Sequence, residues 1–599
     1  MDECEKQPLL LRDEPPPRQR DTDGGSYPWK FVLGLMGLFA LLSWHHAMHS
    51  DSFERHNRKD DDGGYCRTYA GEHIEWKACG QIGPDHRELE CSSIDVPMDQ
   101  FNATNSGSKT FGIPLIRMRA KGASRDDTAT QNMLLNPGGP GGSGLEFMYR
   151  RGVQLSTIVG EDKFHLLSFD PRGINQSQPL ASCYPTPEAR RELSSDVRNK
   201  KIVEDSGELW AWTANFVQAC ADTMGEHGKY INTPQTAADM NSILDAVGQE
   251  DMVYWGFSYG TLLGQTYATL FPERSKRVII DGVANQFDWY ESPLDLEEMA
   301  DTDSVFWGFL DECIKAGPGN CTLAPLANTT QELFDKVVTF VEEMRDDPLS
   351  VYVNNTVYGV LDYWAVWYNG IFPALYKPAN WYTLASNLAS MLQGNATDAF
   401  LAYGRDAAWD IPSDAENVVS LNDGASGPQH WPEQQDRKSL VDKLVPHFNQ
   451  SLFGASEYDH YFAKRAWAIP KTHGYVPRRG VQTAHPLLIL STTYDPVCPL
   501  ISARSANAAF GGSRLVEVKG YGHCSLAVAS MCIVRHVRTF LYEGKLPDGN
   551  TQCEVDGPYF IKPEEGSKTV STVQFVDQEE QRIHLAQLEL ARDLWFKPW

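Results

Sequence analysis

From Lys109 onward the chain alternates short apolar runs with segments of helical spacing. "TFGIPLIRMRAK", "NMLLN", "FHLLSF", "DMVYWGFS", "KRVIIDGV", "HPLLILSTTYD" and "SRLVEVKGYGH" are apolar over strand length. Their apolar residues run on continuously, as in strands buried on both faces of a sheet. Between them, "TPQTAADMNSILDAVG" predicts a helix with Thr233 as N-cap, Pro234 in the first turn and Gly248 as C-cap. "TLLGQTYATLFPER" predicts a second helix that stops before Pro272. Strands alternating with helices predict an α/β fold, with a mostly parallel central sheet and helices on both faces.

The rhythm stops after Val283 and returns at His485. The text between is aromatic and helical, densest in "LDYWAVWYNGIFPALYKPANWYTL". It interrupts one sheet, so it reads as a large, mainly helical inserted cap. A last helix is expected in "VDQEEQRIHLAQLELARDLW", with Ile583, Leu588, Ala591 and Trp595 on one face. The chain then divides into a disordered tail (1–30), a hydrophobic signal-anchor segment (31–48), a first core part (49–284), the cap (285–484), a second core part (485–560) and a C-terminal extension with its helix (561–599).

The N-terminal segment needs a decision. "FVLGLMGLFALLSW", Phe31–Trp44, has no charge. It is shorter than the roughly 20 residues of a spanning helix, yet follows a tail too long for a signal n-region. Bracketing Trp29 and Trp44, and no A-x-A-like site after it, favour an uncleaved anchor over a long signal peptide. "EKQPLL" in the tail has the E-x-x-x-L-L form of an endosomal or vacuolar sorting signal. Net charge over the 599 residues is −26. That disfavours nucleic acid or an anionic membrane surface as a partner.

Seven N-x-S/T sequons follow the segment, at Asn102, Asn175, Asn320, Asn328, Asn354, Asn395 and Asn449. Of the twelve cysteines only Cys4 precedes it, leaving eleven, an odd number. Cys79 with Cys91, Cys313 with Cys321, and Cys532 with Cys553 are close enough for local disulfides in an oxidising compartment, and Cys183 and Cys220 are counted with the bonded set. Cys66 has no obvious neighbour. No C-x-x-C occurs, and H-x-x-x-H occurs only at His45–His49 beside the hydrophobic segment, so no metal spacing is read. Together these features indicate a type II membrane glycoprotein with a lumenal or extracellular body, or else a secreted one.

Candidate chemistry begins at "GFSYG", Gly256–Gly260. Chance supplies roughly 0.3 matches to G-x-S-x-G in a chain this long, so context must carry the claim. Ser258 falls where a predicted strand meets a predicted helix, the setting a nucleophile elbow requires. Asp495 then ends a strand, and His523 follows the last long strand in a Gly-flanked loop. Serine, acid and base in that order are the α/β-hydrolase arrangement. The oxyanion donors are expected from the Tyr259 amide and from "NPGGPGGSG", Asn136–Gly144, by Gly138 or preferably Gly139. A phosphate-loop reading of that stretch fails, because no Gly-Lys-Ser/Thr follows. Asp170 and Arg172 in "DPRG" read as a loop clamp. Cys498 and Cys524 lie beside the acid and base, and a disulfide between them would hold the two together; two buried thiols are the other reading.

The set "LLNPGGPGGSG", "SFDPRGINQSQPL", "YWGFSYG", "VIIDGV", "STTYDPVCPL" and "GYGHCS" resembles the prolyl-iminopeptidase and tripeptidyl-aminopeptidase branch of the α/β-hydrolases, over about Phe111–Pro563. "LPDGNTQCEVDGPYF" is similar to the C-terminal part of the tripeptidyl-aminopeptidase-like members. The resemblance implies a serine peptidase acting on peptide N-termini without a metal or organic cofactor. It implies the triad roles for Ser258, Asp495 and His523. Such an exopeptidase must bind an α-ammonium, and "ESPLDLEEMADTDSVFWGF" offers Glu291, Glu297, Glu298, Asp301 and Asp303, with Glu298 and Asp301 preferred. Trp307, Trp364 and Trp367 line either a subsite or the cap core. A carboxylesterase or lipase-like enzyme, a serine carboxypeptidase, and an inactive hydrolase fold used for binding remain as alternatives.

Overall fold

The apolar runs form strands β1 (Lys77–Ile82), β2 (Arg87–Pro97), β3 (Thr110–Met118), β4 (Asn132–Asn136), β5 (His165–Phe169), β6 (Met252–Phe257), β7 (Ser275–Asp281), β8 (Leu349–Asn354), β9 (Val357–Leu361), β10 (Leu488–Tyr494), β11 (Arg514–Tyr521) and β12 (Thr551–Cys553). The computed structural model describes residues 66–194, 201–295, 297–404, 414–454, 458–560, 562 and 575–593. The hydrophobic segment, Cys4 and the dileucine lie outside them. Among the described residues no helix is long and apolar enough to cross a membrane.

Ten strands make one sheet in the order β1-β2-β3-β5-β4-β6-β7-β10-β11-β12. The three pairings from β1 to β5 are antiparallel, and every pairing from β5 to β12 is parallel. Residues of β4, β5 and β6 are buried throughout, which explains their continuous apolar text. Alternate residues feed two cores: Leu134 and Tyr254 on one face, Met133, Leu135 and Trp255 on the other. Strand β7 pairs directly with β10, so residues 282–487 form an insertion between neighbouring strands.

The insertion builds its own core around Phe306, Trp367, Trp381 and Phe453. Trp367 is fully buried there, while Trp307 is 38% exposed. The insertion is not wholly helical, because β8 and β9 form a separate two-stranded hairpin. Ahead of the core strands, β1 and β2 pair antiparallel at the edge of the main sheet.

Local signals shifted by small steps. The helix Thr233–Ala246 is capped by Asn232, whose side chain accepts from the Gln235 amide. Thr233 instead bonds Tyr259 and Asp423. The helix Gln578–Arg592 buries Ile583, Ala586, Leu590 and Ala591; Leu588 is half-buried and Trp595 lies outside the described residues. The clamp reading of "DPRG" fits: Arg172 pairs with Asp239, both fully buried, and donates to the carbonyls of Pro97, Met98 and Tyr230.

Cysteines 79–91, 183–220, 313–321 and 532–553 are bonded. Cys66 is disulfide-bonded too, so it is not the spare thiol. The suspected Cys498–Cys524 disulfide is absent: both are free and buried. Their amides hold the same Asp495 carboxylate, but their sulfurs meet different neighbours. Cys524 Sγ lies against Gly282, whereas the Cys498 thiol hydrogen-bonds with Ser258. Asn102, Asn320, Asn328, Asn354, Asn395 and Asn449 are exposed. Asn175 is half-buried, and its Nδ2 donates to Ser143 Oγ and Asp170 Oδ2.

Candidate active site

Ser258 occupies the single residue between β6 and the helix Tyr259–Leu270. Its φ of 56° and ψ of −127° are rare for a residue with a Cβ. The turn is tight because its flanks are glycine. A Cβ on Gly256 would meet Gly260 O at 2.4 Å, and one on Gly260 would meet Asn136 O at 2.8 Å. Ser258 N donates to Asp281 O at 3.0 Å, tying the turn to the end of β7.

Asp495 follows β10 and His523 follows β11, both fully buried. His523 Nδ1 stands 2.9 Å from both carboxylate oxygens of Asp495. The carboxylate also accepts from the amides of Val497, Cys498 and Cys524. Three backbone donors fix its position. His523 N donates to Tyr376 O, and the Tyr376 ring meets the imidazole edge-on at 5.1 Å. His523 Nε2 has no hydrogen-bond partner among the described residues. Cys498 Sγ, a ring nitrogen of His523 and a carboxylate oxygen of Asp495 lie within 4.8 Å of one another. Since Cys498 also bonds Ser258, the structure brings all three sequence candidates together. That donor set has metal-ligand chemistry, but Asp495 and His523 are already committed to each other.

The loop Asn136–Gly144 packs on the turn. A Cβ on Gly138 would fall 2.8 Å from Ser258 Cβ and 3.1 Å from Tyr259 N. Gly138 N already donates to Asn136 Oδ1, whereas the Gly139 and Tyr259 amides have no acceptor among the described residues. Gly139 is therefore the better placed of the two glycines to meet an oxyanion.

The acidic candidates separate. Glu291 is exposed. Glu297 accepts from Asn285 and Ser502, and Asp303 from Ser451 and the Leu452 amide. Asp301 starts the helix Thr302–Ala316 and accepts from the Leu500 backbone. Glu298 differs: Cys498 and Tyr376 both feel its charge. A second carboxylate, Glu416, joins it from the helix Ala415–Asp423. Its backbone lies 3.5 Å from where a Gly141 Cβ would stand, and Tyr376 feels it as well. Both keep some accessible surface, yet the protein around them desolvates them. Burial, then Asp295, raises Glu298; burial, then Glu298, pushes Glu416 up to about 8. No motif marks Glu416 in the sequence; only the fold carries it to the loop.

Comparison with known proteins gives two matches to family descriptions, "alpha/beta hydrolase fold" over residues 131–311 and "TAP-like protein" over residues 450–553. The chain is 26% identical over 519 residues to serine protease Hip1 of Mycobacterium tuberculosis, covering 81% of this chain and 91% of that one. It is 25% identical over 499 residues to the tripeptidyl aminopeptidase of Streptomyces lividans, covering 80% and 86%. It is also 25% identical over 498 residues to carboxylesterase B of Mycobacterium tuberculosis, covering 80% and 89%. With its parallel sheet, its turn at Ser258 and both matches in chain order, the chain has the α/β-hydrolase fold and is similar to TAP-like proteins.

Proposed function

We propose that this protein is a serine aminopeptidase that recognises the free N-terminus of a peptide. Ser258 attacks the carbonyl while His523 takes its proton at Nε2, and Asp495 holds the imidazole by Nδ1. The amides of Gly139 and Tyr259 receive the oxyanion. The departing amine takes the proton from His523, and water then releases the acyl group by the same path in reverse. Peptide substrates and an oxidising, secretory-type compartment go with this reading; the four bonded cysteine pairs support the compartment.

The observation that carries the aminopeptidase reading is the Glu298–Glu416 pair. The two neighbouring carboxylates disfavour each other's charge, Lys464 offsets Glu298 only in part, and a peptide's α-ammonium supplies a further cation. An ester substrate offers no such group. The test compares a tripeptidyl amide with its N-acetylated form and with a p-nitrophenyl ester, on wild type and Glu416→Gln. The expected result is a KM for the free tripeptidyl amide raised about 10- to 100-fold in the variant, with the ester unchanged, a loss sized for one charge-assisted bond. Equal turnover of the acetylated amide would overturn recognition of the free N-terminus, and preference for the ester would favour an esterase.

A further inference from the structure

The hairpin β8–β9 leaves two aromatic rings in water. Tyr352 and Tyr358 are 71% and 65% exposed. They stand opposite each other in the register and stack, with centroids 6.2 Å apart and planes 28° apart. Val360 beside them is 56% exposed, while Val351 and Leu361 turn inward to the insertion's core. Nothing in the proposed chemistry uses the two outward rings.

Two residues beyond Tyr352, Asn354 ends β8 and opens the turn within the sequon Asn354-Asn355-Thr356. Asn354 Oδ1 accepts from Thr356 N at 2.9 Å and from Thr356 Oγ1 at 2.8 Å. Its Nδ2 has no partner among the described residues. A bulge separates Tyr352 from Asn354, bending the strand between ring and amide. Strand rise sets the two Cα atoms about 7 Å apart, within reach of one sugar ring. The other exposed sequons follow Gln100, Pro318, Leu326, Gln393 and His447 by two residues; none of these is Tyr, Phe or Trp.

We infer that Asn354 carries an N-linked glycan whose first N-acetylglucosamine lies on the Tyr352 ring. Attachment joins Asn354 Nδ2 to the sugar's anomeric carbon and breaks that carbon's bond to a lipid-linked pyrophosphate donor. The Nδ2 proton leaves with the pyrophosphate. One face of the pyranose is lined with C–H bonds, which meet the electron-rich face of tyrosine. The sugar then covers an apolar surface that the protein leaves bare, and it fastens the hairpin tip.

The test uses the full chain secreted from a glycosylating eukaryotic host. Peptide mapping reads site occupancy, and amide exchange reads the hairpin, residues 349–361, in wild type, Asn354→Gln, Tyr352→Ser and the double variant. Occupied Asn354 is expected. Asn354→Gln should speed hairpin exchange about 2- to 10-fold, the range of one aromatic stacking contact. Asn395→Gln should leave the hairpin unchanged. In the Tyr352→Ser background, removing the glycan should change nothing. An empty Asn354, or an equal glycan effect in both backgrounds, would overturn the proposal. So would concentration-dependent protection of the non-glycosylated hairpin, since a second copy would then be the cover.

Discussion

At the residue scale, Glu416 ties recognition to stability through its protons. Folded, it stays protonated up to about 8, whereas an unfolded glutamate releases its proton near about 4.3. The folded chain then binds more protons than the unfolded one across that window, so stability falls as pH rises through it. Buried His165, His460 and His473, lowered to about 3, 4 and 3, act in the opposite sense. They do so only below the unfolded histidine value near about 6.5. Lys377, lowered to about 8, changes its contribution above that pH. Between pH 6.5 and 8 the glutamates govern. Thermal unfolding followed over that range should show a Tm that declines with pH, and Glu416→Gln should flatten the decline. A second expectation belongs to Ser258: Ser258→Ala should lower kcat by about 10⁴-fold or more and abolish fluorophosphonate labelling, with Tm nearly unchanged. Labelling that survives the substitution would remove Ser258 from the mechanism.

At the scale of elements, Arg172 is the main fastener outside the site. It joins the end of β2 to the helix Thr233–Ala246, with both partners of its ion pair fully buried. Arg172→Ala leaves Asp239 inside without its cation, at a cost of about 3–5 kcal/mol. Chemical denaturation should record that loss while kcat per folded molecule holds; a lower kcat with full stability would make Arg172 part of the chemistry. The same elements show why some structure was legible and some was not. Strands β4, β5 and β6 are buried on both faces, so their text is apolar without interruption. Strands β1 and β2 sit at the edge and are only partly buried, so their text lacks the continuous apolar run of the central strands. The hairpin β8–β9 was hidden because its outward Tyr352, Tyr358 and Val360 blur the alternation that marks a strand. Ser258, Asp495 and His523 were readable because each follows a strand end. Glu416 lies in "SDAENVV", a plain helix start, and acquires meaning only from where that helix lands.

Across the whole molecule, distant segments hold one another. The helix Gln578–Arg592 packs along the helix Gly144–Val159 and touches Pro378–Asn380 and Ser525–Ala527, the turn after His523. Asp593 pairs with Arg150 and Arg151, while Glu579 and Glu580 reach Arg538 and Arg535. A chain ending at residue 574 should lose Tm and kcat together, since it removes Ala586 and Leu590, uncovers the helix Gly144–Val159 and frees the turn beside His523. Retained kcat at a lowered Tm would limit the helix to packing. The two spare thiols give a further check. Burial raises Cys498 and Cys524 well above the usual thiol range, so iodoacetamide should spare both in the native protein and label both after unfolding without reductant. The sheet order has one last consequence, for the life of the chain before it is complete. Because β10 slots in beside β7 only after the insertion, a chain leaving the ribosome carries its serine long before its histidine. On the proposed mechanism the newborn polypeptide is silent towards its neighbours until His523 has been made.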